Sequence, residues 1–498
     1  MYLDFYVHNP LVERNSFRGM PVRNEQLPTF EEGRALLPQP LWKGHEDALG
    51  CYWKVWEIAF RNLCQPVENS GFIANFIDTA FNGCLFMWDS AFILLFARYG
   101  RRAFNFQQTL DNFYAKQHED GFICREIIES SGADQFHRFD PVSTGPNILP
   151  WTEWEYFQQS GDRERLAKVF PPLLAYHHWL RLFRTWRDGT YWASGLACGM
   201  DNQPRMDTHK YNPGLTHGHL IWADTCFQQI FAAKILVKMA EVLGCQQDVA
   251  DLPAEIENLT QAVNTRLWDE QSAFYYDLQS DDTFSPAKSI GAYWALLADV
   301  VPGDRLQPFL AHLNKENEFL RPHRVPSMAA DHPEYQANGG YWRGGVWAPT
   351  NYMLLAGLTR CGEDALAHEI ACNHLENVVE VFKQTGTVWE NYSPETAAPG
   401  KPAKHDFVGW TGLPPVAVLF EYVFGLRPDV PNRKLLWDVR LLDEHGVSQY
   451  PFGTEGLLDL RCGRRTSQDE KPSLDIRANI PLTLEVRWQG GKEVRTIR

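Results

Sequence analysis

Between residues 45 and 63 apolar side chains fall at 49, 52, 53, 56, 59, 60 and 63. That spacing puts them on one side of a 3.6-residue turn and predicts an amphipathic helix. The same rhythm predicts helices near 89–99, 103–118, 150–160, 163–186, 218–243, 254–268, 288–299, 303–313, 348–360, 362–383 and 413–424. Gly, Pro and Asn punctuate the gaps between them. No short unit repeats, which argues against a solenoid. A dozen helices in an unrepetitive chain suit six inner and six outer helices in a closed ring, although periodicity by itself carries only a mostly helical class.

The flanks read differently. Residues 1–43 hold Pro10, Pro21, Pro28, Pro38 and Pro40 and no sustained period, so an irregular arm is expected there. From 426 onward, short apolar or alternating runs at 437–442, 457–461, 474–480 and 482–488 lie between turn signals such as Gly490-Gly491. These predict strands. The expected organisation is an arm (1–43), a helical catalytic domain (44–425) and a small C-terminal β-domain (426–498).

Charge narrows the partners. The chain of 498 residues carries 47 Lys and Arg against 62 Asp and Glu, a formal charge of −15. Such a balance disfavours nucleic acid, which calls for a basic footprint, and an anionic membrane surface. The longest apolar stretches, such as 91–97, are too short to span a bilayer. Asp4 interrupts the start and no basic segment leads into an apolar run, so no signal peptide is expected. The 10 cysteines form no Cys-x-x-Cys pair; buried thiols in a reducing cytoplasm fit them. Trp is abundant, at 18 residues, which suits a large core and equally a site that stacks sugar rings.

The loops hold the candidate chemistry, the richest being 78–89, 117–147, 189–217, 331–347 and 386–410. Hydrolysis of a glycosidic bond with inversion requires one protonated carboxyl and one ionised carboxylate, about 6.5–9.5 Å apart. In Gly199-Met200-Asp201-Asn202-Gln203-Pro204-Arg205, with Tyr191 and Trp192 upstream and Arg205 as a nearby cation, Asp201 fits a carboxyl kept neutral by aromatic neighbours. It also fits an Asp that caps a turn. In Thr387-Val388-Trp389-Glu390-Asn391-Tyr392, Glu390 fits an ionised base among polar groups, or a surface Glu at a helix end; Glu395 competes a few residues on. Trp88-Asp89 pairs an indole with a carboxylate, a sugar-binding combination that also suits a helix N-cap. Gln117 and Asp120 stand at a helix end where they can bond hydroxyls or simply finish the turn. Gly339-Gly340-Tyr341-Trp342-Arg343-Gly344-Gly345-Val346-Trp347 reads as backbone shaped to approach a ligand, or as a tight turn with core aromatics. Trp410, in Gly409-Trp410-Thr411-Gly412, opens the last helix. His118 has no His partner at metal-ligand spacing and His177-His178 are adjacent, so neither a metal nor another cofactor is expected. No Gly-x-Ser-x-Gly, P-loop or Gly-x-Gly-x-x-Gly element appears.

Taken in order, Trp-Asp-Ser, Gln-x-x-Asp-Gly-Phe-Ile, Gly-Met-Asp-Asn-x-Pro, Trp-Arg-Gly-x-Val-Trp-x-Pro-x-Asn-Tyr, Glu-Asn-Tyr-x-Pro-Glu-Thr and Gly-Trp resemble glycoside hydrolase family 63 over about residues 45–425. The likeness is greatest to its bacterial α-glucosidase and mannosylglycerate or glucosylglycerate hydrolase branch, in the clan that includes trehalases. The resemblance implies an (α/α)6 barrel, an inverting mechanism and no metal in the chemical step. It implies Asp201 as general acid and Glu390 as general base, with Trp88, Asp89 and Gln117 at the glycone and Arg343, Trp347 and Trp410 at the pocket. One departure stands out. The family pattern Trp-Glu-Ser-Gly-x-Asp is replaced by Leu196-Ala197-Cys198-Gly199-Met200-Asp201, which leaves the sugar open.

The reading is an exo-acting α-glycosidase with a small soluble saccharide as its partner. Two rivals stand beside it. A barrel-type sugar epimerase would need a framed His pair; a sugar-binding homologue without catalysis would not need both carboxylates.

Overall fold

The computed structural model describes residues 8–79 and 83–498. Residues 1–7 of the expected arm, and 80–82 of the expected 78–89 loop, lie outside the described residues. About 41% of the chain is helical.

Each predicted helix has a counterpart. In chain order these are α1 (Glu46–Arg61), α2 (Met87–Ala97), α3 (Thr109–Ala115), α4 (Leu149–Ser160), α5 (Arg163–Phe183), α6 (Ala223–Leu243), α7 (Leu252–Arg266), α8 (Trp294–Leu297), α9 (Gly303–Leu310), α10 (Ala348–Arg360), α11 (Asp364–Thr385) and a π-helix at Leu413–Val423. Three, α3, α6 and α8, begin later than the periodicity suggests, the last behind a 3-10 turn at Ile290–Tyr293. Residues 218–222 are not helical, because Gly218 and His219 take positive φ values of 57° and 59°. Helix α6 starts where the Asp277 carboxylate accepts the Ala223 N–H at 2.8 Å. Helix α3 is preceded by a tighter 3-10 turn, Phe106–Gln108.

Burial distinguishes two kinds of helix. Every residue of α2 and of the π-helix is buried, as expected of an element enclosed by others. Helix α2 packs on α4, α4 on α6, α6 on α8, α8 on α10, α10 on the π-helix, and the π-helix returns to α2. Around them, α1 and α11 pack on the π-helix, α3 on α2, α5 on α4 and α6, and α7 on α6. A buried polar cluster ties three of the central helices together. Glu421 accepts from Arg98 at 2.6 Å, from the Tyr99 hydroxyl at 2.8 Å and from the Tyr352 hydroxyl at 2.7 Å.

The C-terminal residues form strands as expected, in two four-stranded sheets. With β1 (Gln39–Trp42), β2 (Leu426–Asp429), β3 (Lys434–Asp438), β4 (His445–Phe452), β5 (Gly456–Cys462), β6 (Leu474–Ala478), β7 (Leu482–Trp488) and β8 (Gly491–Ile497), the strand orders are β1-β4-β5-β6 and β8-β7-β3-β2. Strand β1 is a correction to the irregular arm. Gln39 to Trp42 pair antiparallel with Ser448 to His445, so the arm closes one edge of a C-terminal sheet. Its prolines disrupt periodicity without preventing this, because Pro40 occupies an edge strand, where a missing N–H is tolerated. Earlier in the arm, Thr29 and Glu32 form a reciprocal capping box on a one-turn helix. No described helix is long and apolar enough to cross a membrane.

Candidate active site

A cavity of about 310 Å³ opens where α2, α10 and the π-helix begin. Trp88 and Asp89 enter it from the first turn of α2, and Trp410 from the turn ahead of the π-helix. Asp201, Glu390, Tyr341 and Trp342 come from connecting loops. Arg125 and Glu126 arrive beside α2 because strand Glu126–Ile128 pairs with Cys84–Phe86, Phe86 facing Glu126.

Asp201 is aimed by its local sequence. Ser194 accepts the Ala197 N–H and starts a one-turn helix, Gly195–Cys198; Gly199, at φ 79°, ends it. Gly199 is needed for space as well as conformation, since a Cβ there would stand 2.8 Å from the Trp88 ring. Asn202 then fastens this loop to the glycine-rich one. Its Nδ2 donates to the Gly340 carbonyl at 3.1 Å, and its Oδ1 accepts the Trp342 N–H at 2.9 Å.

Burial pushes Asp201 up to about 6; Arg125 opposes the rise, while Glu390 adds to it. The cation is therefore Arg125. Arg205, expected in that role, is buried against Asp224 at 2.5 Å and Asp277 at 3.4 Å. The aromatic neighbours also differ from expectation. Trp88 packs on Gly199, whereas Tyr191 donates to Glu255 at 2.9 Å and neither Tyr191 nor Trp192 lines the cavity.

Glu390 is held by two donors. The Tyr341 hydroxyl donates to Oε1 at 2.9 Å and the Lys404 backbone N–H to Oε2 at 3.0 Å. The Trp410 indole N–H donates to the Glu390 carbonyl at 2.7 Å. Burial raises the Glu390 pKa above its ordinary value, and both donors offset only part of that rise. Hydrogen bonds to the ionised form favour it. Asp89 is pushed well above the usual carboxylate range by burial, then by Asp78 and Glu390. It lies in the first turn of α2, where Phe86 rather than Asp89 is the N-cap residue.

Of the expected site residues, the fold brings Asp201, Glu390, Trp88, Asp89 and Trp410 together. Trp347 stands one layer back. It is fully buried and stacks on Trp342 at 3.9 Å and 2°, so Trp342 presents the indole face. Gln117 and Asp120, expected to bind substrate, lie outside this cavity and are hydrogen-bonded within the protein. Gln117 accepts from Asn15 and donates to the Gly121 and Pro172 carbonyls. Asp120 accepts from Arg138 at 2.6 Å, from the Trp179 indole at 2.9 Å and from the Phe122 N–H. Neither lines the cavity, and protein groups already engage their polar atoms. Arg343 is likewise outside the lining, paired with Glu334 at 2.9 Å and donating to the Asn202 carbonyl. The sequence reading assigned no role to Arg125, Glu126, Tyr341 or Trp342. The last two lie within its glycine-rich motif, and that motif was the available signal.

Residues 84–411 match the model of the mannosylglycerate hydrolase MGH1-like glycoside hydrolase domain. The chain belongs to this family. It is a glycoside hydrolase, as the resemblance to family 63 implied. The GH63 mannosylglycerate hydrolase of Thermus thermophilus, solved with glucose, superposes with a TM-score of 0.60 at 20% identity, over 73% of this chain and 99% of that one. A GH78 rhamnosidase from Bacillus sp. GL1 shares the fold over 91% of this chain and 42% of its own, with a TM-score of 0.63 at 14% identity. The probable mannosyl-oligosaccharide glucosidase of Schizosaccharomyces pombe is 25% identical over 66% of this chain, and the match spans about half (48%) of that relative's length.

Proposed function

We propose that this glycoside hydrolase is an inverting, exo-acting α-glycosidase for small glucosides or mannosides, with Asp201 as acid and Glu390 as base. One observation carries the reading. Within a single cavity, one carboxyl is pushed up to about 6 by burial while its counterpart is held by two hydrogen-bond donors. Environments that separate two carboxyl groups assign acid and base roles. Asp201 would protonate the bridging oxygen and Glu390 would activate a water on the opposite face of the ring. The indole faces of Trp88, Trp342 and Trp410 suit the C–H face of a sugar. A cavity near the small end of the range for ligand sites, about 300–1,000 Å³, suits one terminal sugar.

The closed circle of contacts through α2, α4, α6, α8, α10 and the π-helix supports an (α/α)6 barrel for residues 44–425. The paired sheets support a C-terminal β-domain at 426–498, to which the arm contributes β1.

The test is hydrolysis of an α-glucoside and α-mannoside panel followed by NMR. The first-formed sugar should be the β-anomer, and Asp201→Asn and Glu390→Gln should each abolish turnover while the fold persists. Wild-type-like activity in either variant, or a single isomerised product, overturns the assignment.

A further inference from the structure

The residue that follows the proposed acid governs the group that holds the proposed base, an inference that rests on the acid–base reading above. Tyr341, whose hydroxyl donates to Glu390 Oε1 at 2.9 Å, sits at φ 65°. A bulky side chain in the left-handed region is strained and stays there only where its surroundings hold it. Residues 339–345 are loop, and Gly339, Gly340 and Gly344 take positive φ values as well, of 102°, 51° and 133°. Backbone so rich in glycine has many alternatives to this shape.

Asn202 supplies a restraint. Its carboxamide spans the two peptide groups on either side of Tyr341. Nδ2 donates to the Gly340 carbonyl at 3.1 Å, and Oδ1 accepts the Trp342 N–H at 2.9 Å. A planar amide with one donor and one acceptor in use thus stands where a neighbouring strand would pair. The Tyr341 carbonyl is held separately, by the Gly345 N–H and the Trp347 indole N–H, both at 3.1 Å. Those donors follow Tyr341 in its own segment, whereas Asn202 belongs to the segment of the acid. That segment has an anchor beyond Asn202, because Gln203 donates to the Ser327 carbonyl at 2.7 Å. Asn202 itself does not line the cavity, whereas Tyr341 does.

We propose that Asn202 is a positioning residue for the base: its carboxamide locks Tyr341 in the left-handed conformation that carries the phenol to Glu390. The acid's loop and the base are thereby coupled through one side chain. Glu390 is faced by the Tyr341 hydroxyl and by Lys404, through its backbone N–H and its charge, all lowering its pKa against burial. Asp89 and Asp201 are themselves raised by Glu390 across the cavity. Of the two donors on Glu390, Tyr341 is the one that Asn202 holds, so its release leaves the Lys404 contact in place.

The experiment is a double-mutant cycle between Asn202→Ala and Tyr341→Phe. In Asn202→Ala, kcat should fall about tenfold or more while KM changes less than about threefold, the pattern of lost alignment rather than lost binding. The acid limb of the kcat/KM profile should move to higher pH, as in Tyr341→Phe. Because the effect runs through the phenol, the acid limb of the double variant should coincide with that of Tyr341→Phe. A limb that stays at the wild-type position in Asn202→Ala, or that moves further in the double variant than in Tyr341→Phe, overturns the proposal. Should the alanine variant not fold, Asn202→Ser, whose hydroxyl is too short to span both peptide groups, takes its place with the same outcomes. Should Tyr341→Phe leave the limb unmoved, the base assignment fails instead. The hold on Tyr341 is then decided by hydrogen exchange across residues 339–347: faster exchange in the Asn202 variant sustains it, and unchanged exchange overturns it.

Discussion

Tyr341 and Glu390 share a hydrogen bond of 2.9 Å that joins the loop ahead of α10 to the loop behind α11. The phenol is pushed far above its ordinary range by burial and by Asp201 and Glu390, so it remains a donor. Tyr341→Phe removes that donor. A hydrogen bond to a charged group contributes about 1.5–3 kcal/mol, so kcat/KM should fall about tenfold to a hundredfold. Since the lost bond had lowered the Glu390 pKa, the acid limb of the pH–rate profile should move to higher pH. An unmoved limb would remove Glu390 as the base.

The alkaline limb reports the other carboxyl. Asp201 must be protonated to act, and it is pushed up to about 6. Activity should therefore decline as pH rises through about 6, and should rise with pH at the acid end as Glu390 ionises. Because the two groups interact, the observed limbs belong to the pair. Arg125 holds the Asp201 pKa down, so Arg125→Met should shift the alkaline limb upward in kcat/KM profiles. A downward shift contradicts the assignment.

Gly199→Ala tests the packing that aims the acid. A side chain at φ 79° is strained, and the new Cβ would meet three Trp88 ring carbons at 2.8–3.0 Å. An indole cannot yield as a flexible chain end does. The expected cost is about 1–3 kcal/mol of stability, with a drop in kcat/KM of tenfold or more as Trp88 and Asp201 shift. Denaturant titration and steady-state kinetics on the same preparation check both.

Glu421→Ala should act on stability rather than chemistry. It strips Arg98, Tyr99 and Tyr352 of their common acceptor and leaves a guanidinium buried without its principal partner. Breaking such a pair costs about 3–5 kcal/mol. The urea midpoint should fall markedly, while kcat of the protein that remains folded should change little. Cavity kinetics altered at an unchanged midpoint would contradict this.

Most of the helical architecture was legible beforehand. One-sided apolar spacing is a local property, and it located α1 and α10 to within about two residues. It failed at 218–222, where two successive positive φ values and a pairing to Leu278 override it. The edge strand β1 was invisible for a related reason: its partner lies some four hundred residues away, and no local period encodes that.

The same division runs through the site. The amino-acid order by itself determined the helices, the strand-rich end and the two carboxyl-bearing loops around Asp201 and Glu390, because motif and period are written in neighbouring residues. Only the tertiary structure decided which groups surround those carboxyls. It brought Arg125 to Asp201 in place of Arg205, put Trp342 in front of Trp347, and left Gln117 and Asp120 outside that cavity. Burial and charge act through space, so a pKa of about 6 at Asp201 exists only once segments far apart in the chain have closed around it.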